Sequence, residues 1–182
     1  MGGRATTWYP GVVWIHLLRH GIAIDRDDPQ CPPDPLRALT DKGRERTEEV
    51  ARAFAGLQPV VDAVAVSPYL RAQQTADIFI EALELKDVRR WDCEALLPME
   101  DPDRAMEALR TRPGQGILVI GHAPNLDRLG SRLCGAAQPI FKLKKAGIAM
   151  LTADILAVGR GSLVALFPPR ALRRLGRSRA QD

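Results

Sequence analysis

The chain has 182 residues and 20.0 kDa, 46% hydrophobic and 26% charged, which suits one globular domain and excludes a disordered, collagen-like or coiled-coil chain. No apolar run approaches the roughly 18 to 20 residues of a spanning helix, and Met1 to Gly11 lacks a signal-peptide core, so neither a membrane span nor secretion is expected. Of the 26 basic and 22 acidic residues, five arginines and Asp182 fall in 170–182; the remaining 21 and 21 make the body neutral, which argues against a nucleic-acid-binding domain.

Residues 12–18 form a short apolar run, β-branched at its start, and read as a buried strand. A loop follows over 21–38, rich in Asp, Pro and Gly. Thr40 or Asp41 can cap a helix to about Ala55, with Gly56 as its stop. A second strand spans 60–66, and Ser67-Pro68 supplies an N-cap and N1 pair for a helix ending near Leu85. A short strand at 88–91 precedes a helix from Asp101-Pro102 to about Arg110. A third firm strand covers 117–120, and Asn125 can cap a helix through Leu133, stopped by Gly135. Two last strands lie at 148–152 and 163–167; beyond Pro168 the chain reads as a loosely held tail or a further helical turn or two. The expected organisation is a single domain, 1–169, with an Arg-rich tail, 170–182. Strands alternating with helices predict a three-layer α/β fold, a mostly parallel central sheet with helices on both faces.

In such folds ligands bind at the C-terminal ends of the strands. Three segments stand there: Arg19-His20-Gly21, Ser67-Pro68 with Arg71 one turn on, and Gly121-His122. Arginine grips phosphate oxygens bidentately, and two arginines match a phosphoryl dianion. A histidine between them can accept a phosphoryl group covalently, and a second can stabilise the transferring group. Gly21 lets the backbone approach where a side chain would clash. Such a set can run phosphoryl transfer by positioning and charge alone. No cofactor and no metal are expected: His16 sits inside a strand, and Cys31, Cys93 and Cys134 are scattered and odd in number, which fits a reducing, cytoplasmic setting.

These segments resemble the histidine phosphatase superfamily, the phosphoglycerate mutase-like proteins. The matching residues are Leu18-Arg19-His20-Gly21, then Ser67-Pro68-Tyr69-Leu70-Arg71-Ala72-Gln73-Gln74-Thr75-Ala76, then Val119-Ile120-Gly121-His122. Arg37-Ala38-Leu39-Thr40-Asp41-Lys42-Gly43 is similar to the family's Arg-Pro-Leu-Thr-x-x-Gly, and Leu96-Leu97-Pro98 to a Leu-x-Pro loop. Order, spacing and length look most like the SixA-type branch, the phosphohistidine phosphatases. The resemblance implies that His20 is the phosphoryl-accepting nucleophile. It implies that Arg19, Arg71 and Arg37 clamp the phosphoryl oxygens, and that His122 stabilises the transferring group. Gly21 and Ser67 belong to the substrate-binding segments, while Thr75 and Gln74 read as packing or capping residues.

Larger members of the superfamily protonate an alkoxide leaving group with a carboxylate. Here Glu94, Glu100 and Asp101 occupy that region without a clear match, Glu94 being the candidate acid. The imidazole of a phosphohistidine leaves more easily than an alkoxide, which tilts the expected substrate toward a phosphorylated protein. The rivals are a small-molecule phosphomonoesterase of the same superfamily and a non-catalytic phosphate-binding module; retention of both His20 and His122 argues against the module. The tail reads as a solvated terminus, or as a contact for acidic protein, RNA or anionic lipid.

Overall fold

The computed structural model describes residues 11–112 and 114–179. Six strands form one sheet: β1 (Val13–Arg19), β2 (Ala63–Val66), β3 (Arg89–Asp92), β4 (Gly116–Gly121), β5 (Ile148–Ala153) and β6 (Gly161–Phe167), ordered β3-β2-β4-β1-β5-β6. The pairs β1–β4, β2–β4 and β2–β3 are parallel, whereas β5 runs antiparallel to both β1 and β6. The mostly parallel α/β sheet is therefore as expected. The central strands β2 and β4 are buried throughout, which is why they read as unbroken apolar runs rather than alternating ones.

One face carries α1 (Asp41–Ala55), α2 (Leu70–Ala82) and α5 (Pro169–Arg179), with Phe54, Phe79 and Leu172 packed on Val64, Leu118 and Ile148. The other face carries α3 (Pro102–Arg110) and α4 (Asn125–Leu133), with Leu109, Leu126 and Leu129 against Ile15, Ile117 and Val119. Thr40 caps α1 as its sequence suggests: its side chain accepts from the Gly43 amide at 3.0 Å. Gly135, at φ +80°, ends α4 in the left-handed conformation that glycine tolerates best.

Three local readings give way. Ser67 does not cap α2, which starts at Leu70 after Tyr69; the Ser67 hydroxyl is bonded elsewhere. Asn125 is the first residue of α4 rather than its cap, and its side chain donates to the Ala95 and Leu97 carbonyls at 2.8 and 2.7 Å. The segment after Pro168 is an 11-residue helix lying on α1, not a turn or two. Leu172 is fully buried there, and Arg173 and Arg177 both pair with Glu49 of α1.

Candidate active site

Parallel pairing sets the ends of β1, β2 and β4 side by side. Arg19 pairs with Gly121 and Val66 with Ile120. The ladder continues past the strands: the His20 amide donates to the Gly121 carbonyl at 3.0 Å, and the Ser67 amide to the Ile120 carbonyl at 2.9 Å. The three segments singled out in the sequence thus meet at one sheet edge. They border a cavity of about 380 Å³ whose lining includes Arg19, His20, Arg37, Arg71, His122 and Lys145.

His20 is fixed in one orientation. Its Nδ1 lies 2.7 Å from the Gly21 carbonyl, which can only accept, so Nδ1 carries the proton and donates. Nε2 is then a lone pair, and it accepts from Arg71 Nε at 3.3 Å. Burial lowers the His20 pKa to about 3, helped by the charge of Arg71 and then by Arg19 and Lys145. The ring is therefore neutral, with Nε2 unprotonated, at ordinary pH.

His122 stands beside it, ring centroids 4.9 Å apart. Its Nε2 is 2.8 Å from the Ser67 hydroxyl, while its Nδ1 is buried with no protein partner. Burial, then the neighbouring His20 and Arg71, lowers its pKa to about 2. The Tyr69 ring meets the His122 ring edge-on at 5.2 Å and lies 4.8 Å from the Arg71 guanidinium carbon.

Three arginines surround the histidines. Arg71 is 1% exposed, a cost in desolvation that only a firm set of partners offsets. Arg37 is buried: its Nε donates to Asp34 Oδ1 at 2.8 Å and its Nη1 to the Ile24 carbonyl at 2.6 Å. Arg19 donates through Nη1 to the Leu143 carbonyl at 2.8 Å, and its buried Nε has no protein partner.

Gly21 stands where a side chain would clash, as expected: a Cβ there would lie 2.3 Å from Thr47 Oγ1, so the glycine admits α1. Gly43 serves the same contact from the other side, since its Cβ would fall 1.9 Å from the Ile22 carbonyl oxygen. Thr75 holds the loop: its Oγ1 accepts from the Gly21 amide at 3.1 Å and donates to the Arg71 carbonyl at 2.7 Å. Gln74 accepts from the Leu39 amide at 2.7 Å.

Glu94 is not brought in. Its side chain is exposed, and the cavity takes from that loop only Pro98. The carboxylates lining the cavity, Asp25 and Asp27, come instead from the loop after β1. Two further groups lay outside the sequence reading. Asp34 bonds both Arg37 and Arg71; partial burial pushes its carboxyl up, but the hydrogen bonds and charges of the two arginines outweigh that and hold it low. Lys145 reaches the cavity from a turn pinned by the Ala146 amide, which donates to the Arg19 and His20 carbonyls at 3.0 and 3.1 Å. The spacing Asp34-x-x-Arg37 was a usable signal for the first; nothing in sequence marks the second.

Residues 15–93 match the sequence family described as histidine phosphatase superfamily, branch 1. The phosphohistidine phosphatase SixA of Escherichia coli is 30% identical over 145 residues, 77% of this chain and 85% of that protein. An uncharacterized protein of Picosynechococcus is 33% identical over 143 residues, 74% of this chain and 81% of that one. A solved structure of the protein histidine phosphatase SixA complexed with tungstate superposes with a TM-score of 0.77 at 27% identity, covering 88% of this chain and 99% of the other.

Proposed function

The chain belongs to the histidine phosphatase superfamily and is a phosphatase, and we propose that it hydrolyses phosphohistidine in proteins through a covalent intermediate on His20, without a metal ion. The observation that carries the proposal is the fixed tautomer of His20. The Nδ1 proton is held by Gly21, so the Nε2 lone pair faces Arg71 in a cavity lined by guanidinium groups.

Nε2 attacks phosphorus, a new N–P bond forms, and the substrate's own N–P bond breaks. The departing imidazole takes up a proton from solvent. Water then attacks phospho-His20, breaks that N–P bond, and releases inorganic phosphate with neutral His20 restored. Arg19, Arg37 and Arg71 stabilise the charge on the transferring oxygens. Ser67 shares a hydrogen bond with His122 Nε2, and His122 Nδ1, which has no protein partner, is the ring nitrogen left for a phosphoryl oxygen. The similarity to the SixA protein of Escherichia coli and the position of Glu94 outside the cavity both favour a labile leaving group.

Asp25 and Asp27 on the cavity wall favour a second reading, a small phosphomonoester protonated by one of them. The test is phosphate release in the presence of chelator, from a phosphohistidine protein and from a panel of small phosphomonoesters. Release mainly from phosphohistidine, abolished in His20→Ala, supports the first reading. Fast release from an ester, lost in Asp25→Asn or Asp27→Asn, supports the second. Activity surviving in His20→Ala overturns both.

A further inference from the structure

A larger cavity, of about 770 Å³, lies between α1 and α5 and shares Lys145 with the catalytic one. Six basic side chains line it: Arg46, Lys145, Arg170, Arg173, Arg174 and Arg177. Among the described residues no acid lines it; Glu49 lies close by and pairs with Arg173 and Arg177. Arg46, Lys145, Arg170 and Arg174 have no carboxylate within ion-pair distance among the described residues. So many like charges facing one cleft repel one another and weaken the fold, a cost that an anionic occupant would offset.

We infer that this cleft docks an acidic segment of the phosphorylated protein while its phosphohistidine occupies the catalytic cavity; the inference rests on the phosphohistidine reading above. Two features favour an extended acidic segment over a single anion. The four arginines of α5 fall at i, i+3, i+4 and i+7, one face of the helix over about 10 Å. Lys145 lines both cavities, so a chain leaving the catalytic cavity past Lys145 reaches the row. The catalytic cavity has about half the volume of the cleft, room for the phosphoryl group and the side chain that bears it. Recognition of the rest of the substrate then falls to the cleft. Contacts of this kind act through long-range attraction and encounter, so they lower KM and are weakened by salt.

The experiment compares two phosphohistidine peptides on the full chain, one flanked by a run of glutamates and one by glutamines. Wild type is expected to prefer the glutamate peptide by about tenfold in kcat/KM, carried by KM and lost with added salt. The double variant Arg170→Glu/Arg174→Glu is expected to erase that preference and leave the glutamine peptide unaffected. Both side chains are exposed, and the glutamine peptide reports whether the variant is folded. Should it misfold, Arg170→Gln/Arg174→Gln is used in its place. Equal rates on the two peptides in wild type overturn the inference, as does tighter binding of a short RNA or of anionic lipid vesicles than of the glutamate peptide. If wild type hydrolyses neither peptide, the phosphohistidine reading fails by itself. The cleft is then judged by titrating a fluorescent, unphosphorylated glutamate peptide: binding lost in the double variant keeps the docking site, and no binding to wild type removes it.

Discussion

Arg71 and Asp34 hold each other at two points: Arg71 Nη1 donates to the Asp34 carbonyl at 2.6 Å, and Nη2 lies 3.2 Å from Asp34 Oδ2. The third edge of the guanidinium, Nε, faces His20. Asp34 also takes Arg37 at 2.7 Å, so one carboxylate orients two of the arginines beside His20. It also competes with any incoming dianion for them. Asp34→Asn keeps the shape and removes the charge. Inorganic phosphate and tungstate should then inhibit about three- to tenfold more strongly, since each guanidinium loses an internal counter-ion. Asp34→Ala should instead lower kcat, because it also releases the positions of the arginines. An inhibition constant unchanged in Asp34→Asn would show that the carboxylate does not compete.

His20 should not titrate in the range usual for histidine. Burial and the adjacent Arg71 lower its pKa to about 3. Its imidazole nitrogen resonances should therefore stay those of a neutral ring, protonated at Nδ1, from about pH 8 down to about pH 5. Any loss of kcat/KM across that window then belongs to the substrate or to unfolding. A titration of His20 near its ordinary pKa of about 6.5 would contradict the geometry.

Stability should fall on the acid side for the same reason. His16 is fully buried, with Nε2 bonded to the Val60 carbonyl at 2.9 Å and its ring edge-on to Phe54 at 5.5 Å. Burial lowers its pKa to about 4, only partly opposed by the Val60 bond. Below about pH 6.5 the unfolded chain binds a proton that the folded one refuses, so stability is flat above that pH and declines below it. His16 should remove about 2 kcal/mol between about pH 7 and about pH 5, and burial of neutral His20 and His122 acts in the same direction. Urea unfolding at both pH values measures this. In His16→Leu the difference between the two should shrink by about 2 kcal/mol, whatever the change in absolute stability.

Ser67→Ala tests the partner of His122. Without the hydroxyl, Nε2 loses its partner and the ring is no longer held in one tautomer. The expected outcome is a fall in kcat of about tenfold with KM nearly unchanged, because the lost bond matters when charge builds on the phosphoryl oxygens. Ser67→Thr, which keeps the hydroxyl, should recover part of the rate. A loss confined to KM would mean that Ser67 touches the substrate instead.

The sheet and the convergence of the three segments were legible because they follow from backbone rules. Ile117, Leu118, Val119 and Ile120 can only be a strand buried on both faces, and parallel neighbours end at the same edge. The local misreadings share one cause. Ser67 and Asn125 have the chemistry of helix caps, but that same chemistry bonds His122 and the Ala95 and Leu97 carbonyls. A donor's sequence position does not reveal its long-range partner. Asp34 and Lys145 escaped for the same reason, since each is brought to the cavity by a loop whose course depends on tertiary contacts.

The tail was misread because its arginines hide a sparse apolar face. Leu172 is fully buried against α1 and the sheet, whereas Leu175, one turn on, is 49% exposed. Gly176 approaches Ala53 so closely that a Cβ would lie 3.0 Å from that methyl. A frayed appendage would tolerate change at any of these positions; a docked helix would not tolerate it at Leu172 or Gly176. Leu172→Ala should therefore cost about 3 kcal/mol of unfolding free energy, the usual range for emptying a buried leucine site, and Leu175→Ala close to nothing. The pair is measured by denaturant unfolding at neutral pH. Because α5 also forms one wall of the basic cleft, Leu172→Ala should loosen that wall and reduce any preference for acidic substrates, while hydrolysis of a small phosphoramidate, which would need only the cavity beside His20, continues. Equal and negligible costs at both leucines would mean that the helix is not held on α1 in solution.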